Sequence, residues 1–195
     1  MFTGIITDTG VVMRTSRTRL SVSARPNLVR NLSRGASIAV NGTCLTVVAK
    51  SKNSFSADVM EETARRTNLG GLTAGKNVNL ELPATAATFL SGHIVQGHVD
   101  GVGTVERIQK KSADRILAIG AARALLRYIV PKGSVAVNGV SLTVIGVGRK
   151  SFEVGIIPHT WESTTLRDLA AGARVNIEVD VLAKYVEKLI KKRNI

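Results

Sequence analysis

Ser37-Ile38-Ala39-Val40-Asn41-Gly42-Thr43-Cys44-Leu45-Thr46-Val47 returns 97 positions later as Ser134-Val135-Ala136-Val137-Asn138-Gly139-Val140-Ser141-Leu142-Thr143-Val144. The match runs without a gap from 37–81 onto 134–178, with 19 of 45 positions identical. In both copies Asn-Gly separates two apolar runs, the signal of a tight hairpin turn. A unit of this length is a whole domain rather than a solenoid repeat of roughly 20–50 residues. Two copies of one binding module on one chain can hold two similar molecules.

The repeat extends outward. Arg19–Ala24 matches Ile116–Ala121 at the same shift, and the alternation in the first copy reads as a half-buried strand. Leu28, Val29 and Leu32 match Leu125, Leu126 and Ile129, at the spacing of one apolar face on a short helix. The start of the chain, Gly4–Val12, lies on Gly97–Val105 at a shift of 93. Four extra residues therefore fall in the loop around Gln109–Asp114, where insertion is tolerated. Short β-rich segments with turns every 8–12 residues mean a sandwich or barrel. One short helix interrupts them in each copy, and a small closed Greek-key barrel removes exposed edges. The expected architecture is all-β, with a first barrel over 1–93, a second over 94–180 and a terminal segment 181–195.

Aromatic residues make up 4% of the 195 residues, so Val, Ile, Leu and Ala must build the cores. Cys44 is the single cysteine, which excludes an internal disulfide and fits a reducing compartment. No secretory signal is visible and no apolar run approaches 18 residues, so a cytoplasmic protein without a membrane span is expected. The net charge is +13, but Lys and Arg are spread along the chain without zinc spacing, an RNA-recognition aromatic motif or an Arg-rich run. We read a solvated basic surface with no specific nucleic-acid site. The densest cluster, Lys188, Lys191, Lys192 and Arg193, also suits a helix C-terminus. Val181, Leu182, Tyr185, Val186, Leu189 and Ile190 recur at helical spacing, with Glu187 and Lys191 as an i,i+4 pair. That helix either packs on its own barrel or assembles subunits.

Met1-Phe2-Thr3-Gly4-Ile5, the doubled Asn-Gly-x-x-Leu-Thr-Val, Gly92–Gly101 and Val175-Asn176-Ile177-Glu178-Val179-Asp180 together resemble riboflavin synthase of the α-subunit type. The resemblance covers essentially the whole chain. It implies two six-stranded Greek-key barrels and a C-terminal oligomerisation helix, assembled as a homotrimer. It implies dismutation of two molecules of 6,7-dimethyl-8-ribityllumazine to riboflavin and 5-amino-6-ribitylaminouracil, a transferase reaction that ends riboflavin biosynthesis. No metal or external cofactor is implied, and a functional contact with lumazine synthase is. Active sites would form between the first barrel of one subunit and the second barrel of its neighbour.

The resemblance also assigns residues. Thr46 and Thr143 are equivalent, and a hydroxyl both donates to and accepts from ring and ribityl groups; threonine is equally a good strand residue. Cys44 and Ser141 are equivalent nucleophile candidates, although a buried cysteine is often a small hydrophobe. His98 is the acid–base candidate, since imidazole titrates near neutrality; His93 reads as structural. Cys44, His98, Ser141 and Thr143 form the catalytic set. Substrate contacts are carried to Phe2, Gly4, Ile5, Ile6, Ser37, Leu45 and Thr46, to Asp58, Val59, Met60, Glu61, Glu62 and Thr63, and to Gly97 and Val99. Lys132, Leu142, Ile157, Pro158, His159, Thr160, Trp161 and Glu162 complete them, and Asp180 is activity-linked or structural. Three departures stand out: Asn138 where many members carry Asp, Ser91-Gly92-His93 in place of Gly-Gly-His, and a neutral Leu82–Thr88 in place of an acidic, Arg-rich stretch.

Overall fold

The computed structural model describes residues 1–192; the side chain of Lys192 and the residues from Arg193 onward, part of the terminal basic cluster, lie outside what is described. Twelve strands form two closed antiparallel barrels. The first contains β1 (Asp8–Thr15), β2 (Arg19–Ser23), β3 (Ser37–Val40), β4 (Thr43–Lys50), β5 (Ser54–Asp58) and β6 (Asn77–Glu81), in the order β1-β2-β5-β4-β3-β6. The second contains β7 (Gly101–Lys111), β8 (Asp114–Gly120), β9 (Ser134–Val137), β10 (Val140–Val147), β11 (Ser151–Ile156) and β12 (Arg174–Val179), in the equivalent cyclic order. The all-β reading of the repeat is therefore correct.

Closure requires the strands to bend. Register shifts occur at Val12/Arg14 and Val47/Ala49 in the first barrel. They recur at the equivalent Val105/Arg107 and Val144/Gly146 in the second. An extra residue on one strand increases local twist and turns a sheet corner. Inward positions then fill the two cores, with Leu20, Ile38, Phe55 and Leu80 in one and Leu117, Ile119, Phe152 and Ile177 in the other, all fully buried.

Each copy has two short helices rather than the one expected. In the first copy these are α1 (Pro26–Arg30) and α2 (Glu61–Arg66); in the second, α3 (Arg123–Leu126) and α4 (Pro158–Ser163). A 3₁₀ turn follows each second helix, at Asn68–Gly71 and Thr165–Asp168. Helices of one or two turns leave too few apolar repeats for periodicity to register. The final helix, α5 (Val181–Lys192), docks its polar side. Glu187 pairs with Arg127, accepts from the Tyr128 hydroxyl at 2.5 Å and meets Lys191 at 3.1 Å, and Lys184 reaches Asp100 at 2.6 Å. Leu182, Tyr185, Val186, Leu189 and Ile190 stay exposed. No described helix is long and apolar enough to cross a membrane.

The barrels meet back to back at their Asn-Gly hairpins. Asn41 and Gly42 have φ of 46° and 75°, and Asn138 and Gly139 of 47° and 81°, both turns of the left-handed kind that suits a twisted hairpin. A Cβ on Gly42 would lie 2.6 Å from Gly139 N, and one on Gly139 would lie 2.7 Å from Gly42 N. Asparagines stitch this contact reciprocally. Asn79 Nδ2 donates to Asn138 O at 3.0 Å, and Asn176 Nδ2 donates to Asn41 O at 2.8 Å. Thr165 N donates to Asn79 Oδ1 at 2.7 Å, and its counterpart Asn68 N donates to Asn176 Oδ1 at 2.6 Å. Asn138 belongs to this network through Oδ1, which accepts from Asn176 N at 2.8 Å and Asn68 Nδ2 at 3.0 Å. The amide oxygen supplies the acceptor that an aspartate would, so the departure at this position is accommodated in the scaffold.

Gly35 also has positive φ, 86°, but a Cβ there would meet nothing within 4 Å. The pair Gly35→Ala and Gly42→Ala separates strain from overlap. Gly35→Ala is expected to cost about 1 kcal/mol, from the left-handed backbone alone. Gly42→Ala should cost clearly more, because the barrels must move apart. Thermal denaturation checks this at roughly 2–4 °C per kcal/mol for a chain of this size; equal losses would show that the close approach carries no weight.

Candidate functional site

Along β4, Thr43, Leu45 and Val47 point into the first barrel and are buried, which places Cys44 and Thr46 on the outer wall. Along β10, Val140, Leu142 and Val144 point inward, and Ser141 and Thr143 occupy the same outer positions. The reactive side chains therefore lie on the outer walls of the barrels, not in the lumens; each such wall, with the segment laid against it, is termed a trough. Thr46 stands between Ser37 on β3 and Asp58 on β5 in the strand register. Thr143 stands opposite Ser134 on β9.

A segment from the other half of the chain covers each trough. Cys44 N donates to Gly97 O at 2.9 Å, which brings Gly97-His98-Val99 over the first barrel. Ser141 N donates to Gly4 O at 2.8 Å, which brings Gly4-Ile5-Ile6 over the second. Glycine is required for this approach: a Cβ on Gly4 would lie 2.7 Å from Ser141 Cβ, and one on Gly97 would lie 2.6 Å from Cys44 Cβ. Both glycines also have positive φ, 76° and 81°. Sequence order groups Gly4–Ile6 with the first copy; the fold gives them to the second barrel, where Ile6 packs against the second core.

Two buried carboxylates hold the crossed segments. Glu81 Oε1 accepts from Thr3 N at 2.7 Å and Thr3 Oγ1 at 2.8 Å, and Oε2 accepts from Gly4 N at 3.1 Å. Glu178 accepts from Gln96 N at 2.6 Å and Gly97 N at 3.0 Å. Burial pushes both carboxyls above the ordinary glutamate value, and the N–H donors work against that shift. The Phe2 ring is 1% exposed and packs with Ala39, Val95, Ala136 and Cys44 between the barrels. It anchors the crossing and presents no open face.

The end of each trough carries a helix. Beside the first are Asp58, Val59, Met60 and α2, with Met60 75% exposed. Asp58 pairs with Arg19 at 2.9 Å. Glu62 is held by Arg65 and Arg66, both at 2.6 Å, and the Arg65 hydrogen bond leads in keeping its carboxyl below the ordinary value. Glu61 is exposed and Thr63 half-buried. Beside the second are the exposed Ile157, Pro158, His159 and Glu162, with half-buried Thr160 and Trp161. The Arg115 guanidinium lies over the Trp161 ring, 5.4 Å from its centroid.

Lys132 is exposed at φ 66°, where the first copy has Gly35. Its counterpart meets this left-handed conformation with glycine, the residue that adopts it without strain. The side chains of Leu45, Leu142 and Val59 belong to the barrel cores, so their share in any binding runs through the backbone. His98 is exposed and half-buried Val99 follows it. Half-buried Asp180 accepts from Leu182 N at 2.9 Å and so caps α5.

Sequence reasoning missed the Glu81 and Glu178 clamps, the Asn79–Asn176 stitching and a 2.7 Å hydrogen bond between His93 Nδ1 and Ser141 Oγ. The first two left a signal: Val78-Asn79-Leu80-Glu81 and Val175-Asn176-Ile177-Glu178 repeat two polar residues within otherwise apolar strands. The third left none, because the partners are 48 residues apart.

Residues 3–83 and 96–180 each match the family model for the lumazine binding domain. The chain is 48% identical over 200 residues to the riboflavin synthase of Mycobacterium tuberculosis (strain ATCC 25618 / H37Rv), covering 98% of both chains. It is 39% identical over 197 residues to that of Bacillus subtilis (strain 168), covering 100% of this chain and 92% of the relative. Its fold is similar to the crystal structures of LumP complexed with 6,7-dimethyl-8-(1'-D-ribityl) lumazine and with riboflavin. Their TM-scores are 0.83 and 0.85, at 24% identity, over 92% of this chain and 99% of LumP. The paired binding domains and the full-length identity lead to one conclusion: the chain belongs to the riboflavin synthases, a transferase family.

Proposed function

We propose that this chain dismutates two molecules of 6,7-dimethyl-8-ribityllumazine to riboflavin and 5-amino-6-ribitylaminouracil, and that each trough holds one of the two. The observation that carries this reading is the duplicated wall, with Cys44 and Thr46 in one trough and Ser141 and Thr143 in the other at equivalent outer positions. Both reactants are the same compound, so one pocket design used twice binds both. Two facing troughs make a bimolecular step effectively unimolecular, which is worth several kcal/mol.

The roles follow from the chemistry of the groups. Thr46, Thr143 and the backbone of His98–Val99 and Ile5–Ile6 supply hydrogen bonds to ring and ribityl groups. Lys132 supplies a cation at the second trough. The lumazine ring is electron-poor and its 7-methyl protons are acidic for a C–H group, so the reaction needs a modest base and a nucleophile rather than a cofactor. His98, on the segment covering the first trough, is the base. Cys44 and Ser141 are the nucleophile candidates. Asp58–Thr63 and Ile157–Glu162 wall the two ends.

A single protomer leaves both troughs open, and the apolar side of α5 uncovered. The working unit is a homotrimer in which the first trough of one protomer faces the second trough of another. The domain limits 1–93, 94–180 and 181–195 describe the two binding barrels and the assembling helix. A reducing, cytoplasmic setting suits the free thiol of Cys44, and a functional contact with lumazine synthase would deliver the substrate. LumP shares the fold, so the competing reading is a carrier that binds the ring without turnover; the reactive set Cys44, His98, Ser141 and Thr143 favours catalysis.

Mixing the purified protein with the lumazine is expected to produce riboflavin and the aminouracil in equal amounts by chromatography. Stoichiometric binding without product would establish the carrier instead. Lys132→Gly should keep the melting temperature, since glycine adopts the backbone without strain, while weakening lumazine binding about tenfold in a fluorescence titration. Leu189→Glu on α5 should convert a trimer to a monomer by light scattering and lower turnover at least tenfold. An active Leu189→Glu monomer would remove the need for a neighbouring protomer.

A further inference from the structure

His93 has no role in the scheme above, yet its surroundings are those of a working group. It follows Gly92 on the segment between the barrels, where its backbone N–H donates to Thr3 O at 3.1 Å. Gly92 permits that approach, because a Cβ there would lie 2.1 Å from Thr3 O and 2.9 Å from Ser141 Cβ. The residue is 9% exposed, and its Nδ1 lies 2.7 Å from Ser141 Oγ. Among the described residues its Nε2 is buried without a hydrogen-bond partner. A histidine kept only for structure would normally have both nitrogens satisfied.

Burial holds the His93 ring below the ordinary histidine pKa, and the Asp180 charge pulls in the opposite direction. That direction favours the neutral ring, in which one nitrogen accepts. The negative field of Asp180 favours proton uptake when one is offered. The thiol in the other trough lacks such help: among the described residues no hydrogen bond reaches Cys44 Sγ. A thiol also needs less, since it ionises near pH 8.5, whereas an alcohol becomes nucleophilic only beside a base.

We propose that His93 is a positioning residue that accepts the Ser141 hydroxyl proton at Nδ1, so that the second trough holds the activated nucleophile of the reaction. The inference rests on the function proposed above and assigns one step within it. Ser141 Oγ bonds to the electron-poor C7 of the lumazine in that trough. Its proton passes to His93 Nδ1, and the π-electron pair displaced from C7 is delocalised through the conjugated ring into the pyrimidine carbonyls. Collapse of the adduct returns the pair to the ring, breaks the C–O bond and takes the proton back from His93.

His93→Asn keeps an acceptor near the Nδ1 position but cannot take up a proton. It should lower kcat about 10²-fold with KM and melting temperature near the wild-type values. Ser141→Ala should show a loss of similar size, and the double variant should be no slower than Ser141→Ala alone, because one residue acts through the other. Wild-type kcat in His93→Asn, or losses that multiply in the double variant, would overturn the proposal. The second measurement is made on the free wild-type protein. Its ¹⁵N spectrum should show His93 protonated at Nε2 with Nδ1 as acceptor, and an Nδ1–H ring would overturn the proposal even if the variants fail to fold. A wild-type protein that makes no riboflavin would defeat the function itself, and the hydrogen-bond claim would then be decided by the spectrum alone.

Discussion

Two hairpin turns pressed backbone to backbone organise this protein. Gly42 and Gly139 allow the approach, and Asn79 and Asn176 reach across to satisfy the turn carbonyls of the opposite barrel. These amides are buried, so each left without its partner would cost about 1–3 kcal/mol. The reciprocity of the bonds favours one arrangement, in which each turn carbonyl meets the asparagine of the opposite barrel. That specificity sets the relation between the barrels more tightly than a flat apolar interface would, because apolar contact alone is non-directional.

The crossed segments depend on this arrangement. With the barrels back to back, the segment before β1 reaches the second barrel and the segment before β7 reaches the first. Glu81 and Glu178 then clamp them through backbone N–H groups. A carboxylate buried at some desolvation cost is a specific anchor, since it accepts several donors at once and discriminates against other registers. Each trough is thus a composite of both halves, although the sequence reads as two self-contained copies. The same geometry bonds His93 to Ser141, while no hydrogen bond among the described residues reaches Cys44 Sγ, so a duplicated scaffold acquires two chemically different sites.

The last helix reverses the usual economy of an amphipathic segment. Its charged side, through Lys184 and Glu187, is tied to the second barrel, and its apolar side faces outward. Helical spacing alone could not choose between packing on its own barrel and assembling subunits, because periodicity identifies a stripe and not what lies against it. The basic surface resolves similarly. Several cations have local tasks, such as Arg115 over Trp161 and Lys50 on the carbonyls that end α1, and the remainder keep the surface solvated.

The barrel architecture was legible from the sequence because it is a local property repeated twice. Alternation along Arg19–Ser23, the Asn-Gly turns and the unbroken shift of 97 each report on residues near one another in the chain. Cys44, Thr46, Ser141 and Thr143 were legible as a set because their equivalence is part of that repeat. Only the tertiary structure decided which segment covers which trough, that Phe2 is an anchor, that Asn138 serves the contact between barrels, and that His93 is bonded to Ser141. Those facts depend on contacts between residues 48 to 137 positions apart, such as His93 with Ser141 and Ser141 with Gly4. Pattern in a chain encodes which face of a strand is buried; it carries no record of which distant strand comes to lie against it, because that is settled by packing two complete domains together.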